Sequence, residues 1–268
     1  MNKDFKKISD NIRKKIISVL VPKVSHHIGC SLSIVDLLVY LYFHKLNVYP
    51  QDPKNNKRDI FILSKGHAAL ALYCVLQKKG FFKEKLLDTY DQDNSSFPEH
   101  ASSGVPGVEL STGSLGHGLP VGVGFALSFK NDKKNNQVVV LMSDGELDEG
   151  SNWEAIMFAG HHNLNNLTAI IDLNGYQGYA ETKKVINLSP ISNKIRSFSW
   201  NAYEIDGHNF NSMDEVFKKI NNNKNGKPNC IIAKTIKGKG IPYFEGKFES
   251  HYKSLDLETK NKILNSLK

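Results

Sequence analysis

The chain has 268 residues, 40% of them hydrophobic and 23% charged, with 35 Lys+Arg against 27 Asp+Glu and a net charge of +8. That length and ordinary apolar content suit one large domain with a substantial core, and exclude a disordered, collagenous or coiled-coil chain. Residues 1–23 sum to +5, residues 224–268 to +6 and the stretch between them to −3, with no arginine cluster, so a solvated lysine-rich surface accounts for the charge and argues against nucleic-acid binding.

No apolar run reaches the roughly 18 residues of a membrane span. Ile16–Val21, the longest near the basic N-terminus, is too short for a signal-peptide core. Cys30, Cys74 and Cys230 form no CxxC pair. An odd, scattered set points to a reduced compartment, and the expectation is a cytoplasmic protein with no membrane partner.

In chain order, Ile8, Ile12, Ile16 and Val19 recur at helical spacing and predict an amphipathic helix that stops near Pro22. A second helix is expected over Ser33–Lys45, with Ile34, Leu37, Leu38, Leu41 and Tyr42 on its apolar face. Asp59–Leu63 reads as a short strand, followed by Ser64-Lys65-Gly66-His67 and a helix to about Gln77. Phe81–Glu109 lacks a period and is expected to be a long functional loop holding one helix. Gly116–Lys130 reads as a helix with Pro120 in its first turn. Gln137–Met142 and Leu167–Leu173 are β-branched runs typical of buried parallel strands, with a helix over Trp153–His162 between them. Tyr203–Ile205, Met213–Ile220 and Asn229–Thr235 add strand, helix and strand. The alternation predicts an α/β fold: an open, mostly parallel sheet with helices on both faces. One domain over residues 1–268 is expected, with a core at about 10–240 and a C-terminal tail at about 241–268. Cys30, Cys74, Trp153 and Phe158 are expected to pack as core residues, and the tandem His161-His162 to be structural.

Chemistry gathers at two strand ends. Ser143-Asp144-Gly145-Glu146 closes one buried strand and Asp172-Leu173-Asn174-Gly175 the next. Asp-Gly and Asn-Gly are by themselves ordinary turn signals. Thirty residues separate Asp144 from Asn174, enough for one helix and one strand, which would set the two side chains side by side at the carboxyl rim where open sheets bind ligands. A carboxylate, an amide oxygen and a backbone carbonyl just beyond are hard ligands suited to Mg²⁺ with substrate phosphates. Gly145 lets a diphosphate approach the backbone, and the helix that follows offers its N-terminal N–H groups.

This pattern resembles the thiamine diphosphate signature, with Ser143 in place of its first glycine. Pro106-Gly107-Val108-Glu109-Leu110-Ser111-Thr112-Gly113-Ser114-Leu115-Gly116-His117-Gly118, Glu146-Leu147-Asp148-Glu149-Gly150, Ser64-Lys65-Gly66-His67, Glu204-Ile205-Asp206-Gly207-His208 and Lys234-Thr235-Ile236-Lys237-Gly238-Lys239-Gly240 resemble transketolase over about residues 10–255. The likeness covers only that family's amino-terminal, diphosphate-binding half. It implies the first subunit of a split transketolase, which transfers a two-carbon ketol unit from a ketose to an aldose with thiamine diphosphate and Mg²⁺, or Ca²⁺ or Mn²⁺ in its place. It also implies a pyrimidine-domain partner that brings the glutamate activating the cofactor, sugar or sugar-phosphate substrates, a heterotetramer, and no activity for this chain alone.

Carried over by motif, Asp144, Asn174 and the Tyr176 carbonyl match the family's metal ligands. Gly145 and Glu146 follow where the diphosphate is held, Leu115 and Gly116 lie in the loop that meets the cofactor ring, and Glu149 matches an interface glutamate. His27, His67, His100 and His251 fall on active-site positions, with His67 and His251 also on the cofactor. His117 replaces a glutamine and retains hydrogen-bonding capacity toward cofactor or sugar. Neutral imidazoles can donate, accept and shuttle protons among sugar hydroxyls. Three other readings share parts of this pattern: the alpha subunit of a 2-oxo-acid dehydrogenase, a non-catalytic cofactor-binding scaffold, and a transketolase of a surface-polysaccharide sugar pathway.

Overall fold

The computed structural model describes residues 2–22 and 24–267; Met1, Lys23 and Lys268, within the expected single domain, lie outside the described residues. Its centre is a five-stranded parallel sheet in the order β1-β2-β3-β5-β4, with β1 Ile60–Leu63, β2 Val138–Ser143, β3 Leu167–Leu173, β4 Asn201–Asp206 and β5 Asn229–Lys234. Successive side chains leave opposite faces, so even unbroken apolar runs feed two cores. Phe61, Leu63, Val139, Leu141, Ile170 and Ile231 join one buried cluster. Ile60, Ile62, Val138, Val140, Met142, Ile171 and Ile232 join the other.

The first cluster is covered by α1 (Asn2–Val19), α2 (Ile28–Ser33), α3 (Val35–Tyr40), α4 (Ala69–Lys79) and α9 (Phe210–Asn222). The second is covered by α5 (Gly118–Asn131), α6 (Gly150–His161) and α8 (Ile191–Ser197). α7 (Thr182–Val185) is a single exposed turn in the loop after β3. This is the doubly covered parallel sheet expected from the alternation.

Three expectations are corrected. The helix foreseen over Ser33–Lys45 is broken: α2 begins earlier, at Ile28, Ile34 (φ −98°, ψ 0°) separates it from α3, and Leu41–Lys45 widens into a π turn. The apolar spacing continues across these joints, so periodicity alone conceals them. The foreseen tail is also packed: Ile241, Phe244, Leu255 and Ile263 are buried in the first cluster, and α10 (Leu257–Ser266) lies against α1, where Lys260 Nζ donates to the Leu20 carbonyl at 2.7 Å. Phe158, expected in the core, is 41% exposed, while Trp153 is half-buried and donates Nε1–H to the Leu147 carbonyl. Among the described residues no helix is long and apolar enough to cross a membrane.

Candidate active site

Parallel strands leave their carboxyl ends at one rim. β2 and β3 run in register there, with Ser143 opposite Asp172. Just past β2, the Asp144 carboxylate accepts the Gly145 N–H at 3.0 Å and, with its other oxygen, the Gly175 N–H at 2.8 Å and the Thr182 hydroxyl at 3.2 Å. Asp144 is thereby joined to the turn that carries Asn174 and Tyr176. Gly175 takes φ +82° in that turn, a conformation that side chains disfavour. Asn174 Oδ1 accepts the Tyr176 N–H at 3.1 Å while its Nδ2 donates to Asp172 at 2.9 Å, so the amide is oriented from both sides.

Asp172 is fully buried and pairs with the equally buried Lys65 ammonium. It also accepts from the Ser33 hydroxyl at 2.8 Å and from the Thr235 hydroxyl. Burial would raise its pKa, but Lys65, with hydrogen bonds from Thr235 and Asn174, holds it below the usual carboxylate range. Asp144 behaves oppositely. Burial, and the negative Asp172 nearby, push it up to about 7. A single carboxylate with amide and backbone oxygens is the donor set here; among the described residues no group of three His, Cys, Asp or Glu side chains forms a metal cluster.

Glu146 turns inward. Its carboxylate accepts from the Ser64 hydroxyl, from Gly116 N–H at 3.0 Å and from Ser143 N–H at 3.2 Å, tying the β1 and β2 ends to the loop before α5. Burial raises its pKa. Gly116 takes φ +85° there, and its carbonyl accepts the Ser151 hydroxyl at 2.7 Å.

The rim opens on a cavity of about 510 Å³ lined by His27, His67, His100, His251, Leu115, Gly145, Glu149, Asn174 and Tyr176, all foreseen from the sequence. Clefts of about 570 and 720 Å³ lie elsewhere, and one of about 560 Å³ lies against the Asn174–Tyr176 turn, so size does not single this one out; its convergence of titratable and oxygen-bearing groups does. The His27 ring lies 5.1 Å from His67, 4.9 Å from His251 and 5.9 Å from His100. Burial lowers His67 to about 4, leaving its imidazole neutral. His117 is exposed at the start of α5, with Nδ1 3.1 Å from the Leu115 carbonyl, and does not line the cavity. His161 and His162 are exposed at the far end of α6.

Sequence reasoning missed several groups. Cys30, expected to pack as a core residue, is buried but lies 3.4 Å from Lys237 Nζ and 3.5 Å from His251 Nδ1. Burial pushes its thiol up, and Lys237 and His67 outweigh this to bring it well below the usual range. Lys237 is itself buried and meets His251 Nδ1 at 2.9 Å. Lys65 and Asp172 belong to the motifs but carry no role that their spacing reveals, and Glu99 carries no signal at all. For Asp172 the available signal was a charged residue inside an apolar strand, Ile170-Ile171-Asp172-Leu173.

Comparison with known proteins gives one family. The model described as "Transketolase, thiamine diphosphate binding domain" matches residues 5–265. The chain is 40% identical over 244 residues to an apulose-4-phosphate transketolase subunit of Phocaeicola vulgatus, covering 91% of this chain and 86% of that one. It is 39% identical over 258 residues to the 6-deoxy-6-sulfo-D-fructose transketolase subunit SqwG of a Clostridium species, covering 95% and 93%. Among solved structures, the transketolase of Campylobacter jejuni superposes with a TM-score of 0.91 at 29% identity, covering all of this chain but 43% of that one. The chain thus spans most of the first two relatives and less than half of the longer Campylobacter transketolase.

Proposed function

The chain belongs to the transketolase family through its thiamine diphosphate-binding domain, and on that premise we propose that it is the amino-terminal subunit of a split transketolase that moves a two-carbon ketol unit from a ketose to an aldose. Thiamine diphosphate, when bound, supplies the carbanion-stabilising chemistry of the reaction. The observation that carries the reading is the junction of Asp144 with the Asn174–Tyr176 turn at one rim of the sheet. Asp144, Asn174 Oδ1 and the Tyr176 carbonyl are hard oxygen donors and would hold Mg²⁺, or Ca²⁺ or Mn²⁺, with the diphosphate. At Gly145 a Cβ would meet the Gln177 side chain at 2.6 Å, so glycine lets this turn pack closely. His27, His67, His100 and His251 would handle sugar hydroxyls and their protons.

A companion carrying the pyrimidine-binding half completes the site, and two such pairs form a heterotetramer. Exposed apolar side chains on two packed helices support this reading: Met157 is 56% and Phe158 41% exposed on α6, and Val121 is 36% exposed on α5. Gly124, inside α5, has nothing within 4 Å of the position its Cβ would occupy, so another chain can approach the helix there. The relatives' names direct the substrate search to branched and sulfonated sugars.

The test combines this chain with its companion, thiamine diphosphate and Mg²⁺, and follows ketol transfer to aldose acceptors. The mixture is expected to turn over and the isolated chain to be inert. Full turnover by the isolated chain would overturn the split-enzyme reading.

A further inference from the structure

His27 is a backbone outlier. It sits at φ 56°, ψ 24°, before the first turn of α2, with no side-chain capping bond of its own. For an L-residue this left-handed conformation is disfavoured, so surrounding contacts must hold it. Two elements do. The His251 carbonyl accepts the His27 N–H at 2.9 Å. One oxygen of Glu99 accepts the backbone N–H of His26 at 3.1 Å and faces His27 Nδ1 at 3.2 Å. Glu99 reaches in from the irregular stretch between α4 and α5, and hydrogen bonding to His27, against partial burial, holds its carboxyl below the usual range.

A carboxylate has no proton to give, so the ring nitrogen facing it carries the hydrogen. That leaves Nε2 of a neutral His27 as an acceptor, bonded by no described residue, on a ring that lines the cavity. His251 has the opposite arrangement. Its Nδ1 faces Lys237 Nζ at 2.9 Å and, farther off, Cys30 Sγ at 3.5 Å; against the nearer ammonium, which only donates, Nδ1 accepts and Nε2 of His251 carries the hydrogen. Two imidazoles 4.9 Å apart therefore present unlike atoms, an acceptor from His27 and a donor from His251.

We infer that Glu99 is a positioning residue: it pins the left-handed turn at His26-His27 and fixes His27 in the tautomer whose Nε2 takes the proton of a sugar hydroxyl. The inference rests on the reading of the cavity as a ketose site. In the step served, the hydroxyl oxygen becomes the carbonyl oxygen of the released aldose and its proton passes to Nε2. The electron pair of the opened carbon–carbon bond stays with the two-carbon fragment. Glu99 then faces an imidazolium, which its negative charge stabilises.

The first test needs no substrate. Nitrogen-15 spectra of the histidines in the full chain should give His27 as the Nδ1–H tautomer and His251 as Nε2–H. Glu99→Ala should move His27 toward Nε2–H and leave His251 unchanged. A wild-type His27 already in the Nε2–H form, or one indifferent to Glu99→Ala, overturns the inference. The second test uses the complex with its companion, thiamine diphosphate and Mg²⁺, and two kinds of donor. D-Xylulose 5-phosphate and D-fructose 6-phosphate must lose a hydroxyl proton, whereas hydroxypyruvate loses carbon dioxide instead. Glu99→Gln keeps the size of the side chain, so the ratio of ketose to hydroxypyruvate turnover should fall about 10²-fold. Equal losses on both donor types would make Glu99 a structural clamp only and overturn its role toward the proton. A wild-type complex inert on all donors would overturn the functional reading and the proton step with it, while the spectra decide the tautomer independently.

Discussion

Lys65 and Asp172 form an ion pair with no solvent exposure on either side chain, reaching from the end of β1 to the end of β3 across the strand that bears Asp144. Asp172 also holds the Asn174 amide at 2.9 Å, so this pair sits directly behind a proposed metal ligand.

Removing one partner leaves the other charge buried and unpaired. Lys65→Met or Asp172→Asn is expected to cost about 3–5 kcal/mol each, and the double variant clearly less than the sum. Urea unfolding of the three variants checks this; strict additivity would refute the coupling.

Asp144→Ala should retain the fold, since the carboxyl is costly to bury, yet weaken Mg²⁺-dependent binding of thiamine diphosphate about 100-fold or more. Titration calorimetry reads both the variant and wild type treated with chelator. Unchanged cofactor affinity in the variant would remove Asp144 from the metal site.

Asp36 contributes to the acid sensitivity of the fold. Burial opposes its ionisation, but the hydrogen bond from His208 and the Arg13 guanidinium, at 2.8 and 2.6 Å, bring it from 3.8 down to about 2. A carboxyl with a depressed folded pKa binds fewer protons folded than unfolded. Its contribution, about 2 kcal/mol, is complete above pH 4 and disappears as the pH falls toward 2. Asp36→Asn should flatten the stability profile in that window while lowering stability near neutrality, where Arg13 loses its partner. Unfolding free energies at pH 2, 3, 4 and 7 test the slope.

Two glycines of α5 should respond oppositely to alanine. At Gly122 a Cβ would meet Val140 Cγ2 at 2.5 Å, so Gly122→Ala destabilises the chain. At Gly124 it would meet nothing, so Gly124→Ala stabilises the isolated chain by up to about 1 kcal/mol. The same Gly124→Ala, and Met157→Glu on the neighbouring helix, should weaken association with the companion, measured by sedimentation. Unimpaired association in both would move the interface elsewhere.

Much of this was legible in the sequence because it depends on local order. β3 begins and ends at the residues foreseen, and β2 is displaced by one. Their polar ends had to emerge together, since parallel strands in register share a rim. What escaped notice depends on distant segments. Cys30 was rightly expected to be buried, but burial does not reveal that Lys237 and His251 lie beside it. Glu99 stands in a stretch without periodicity, and only the folded chain brings it to His27. The break at Ile34 and the packing of residues 241–267 escaped because apolar spacing neither marks a local change in helix winding nor identifies which core a lysine-rich segment covers.

The exposed apolar side chains of α5 and α6 have a consequence for the cell that makes this polypeptide. Copies synthesised in excess of whatever covers Met157 and Phe158 would remain adhesive toward one another and toward other unfinished chains. Matched dosage and timing of expression would then govern the soluble yield as strongly as intrinsic folding, and overproduction of this chain by itself is the condition under which it should precipitate.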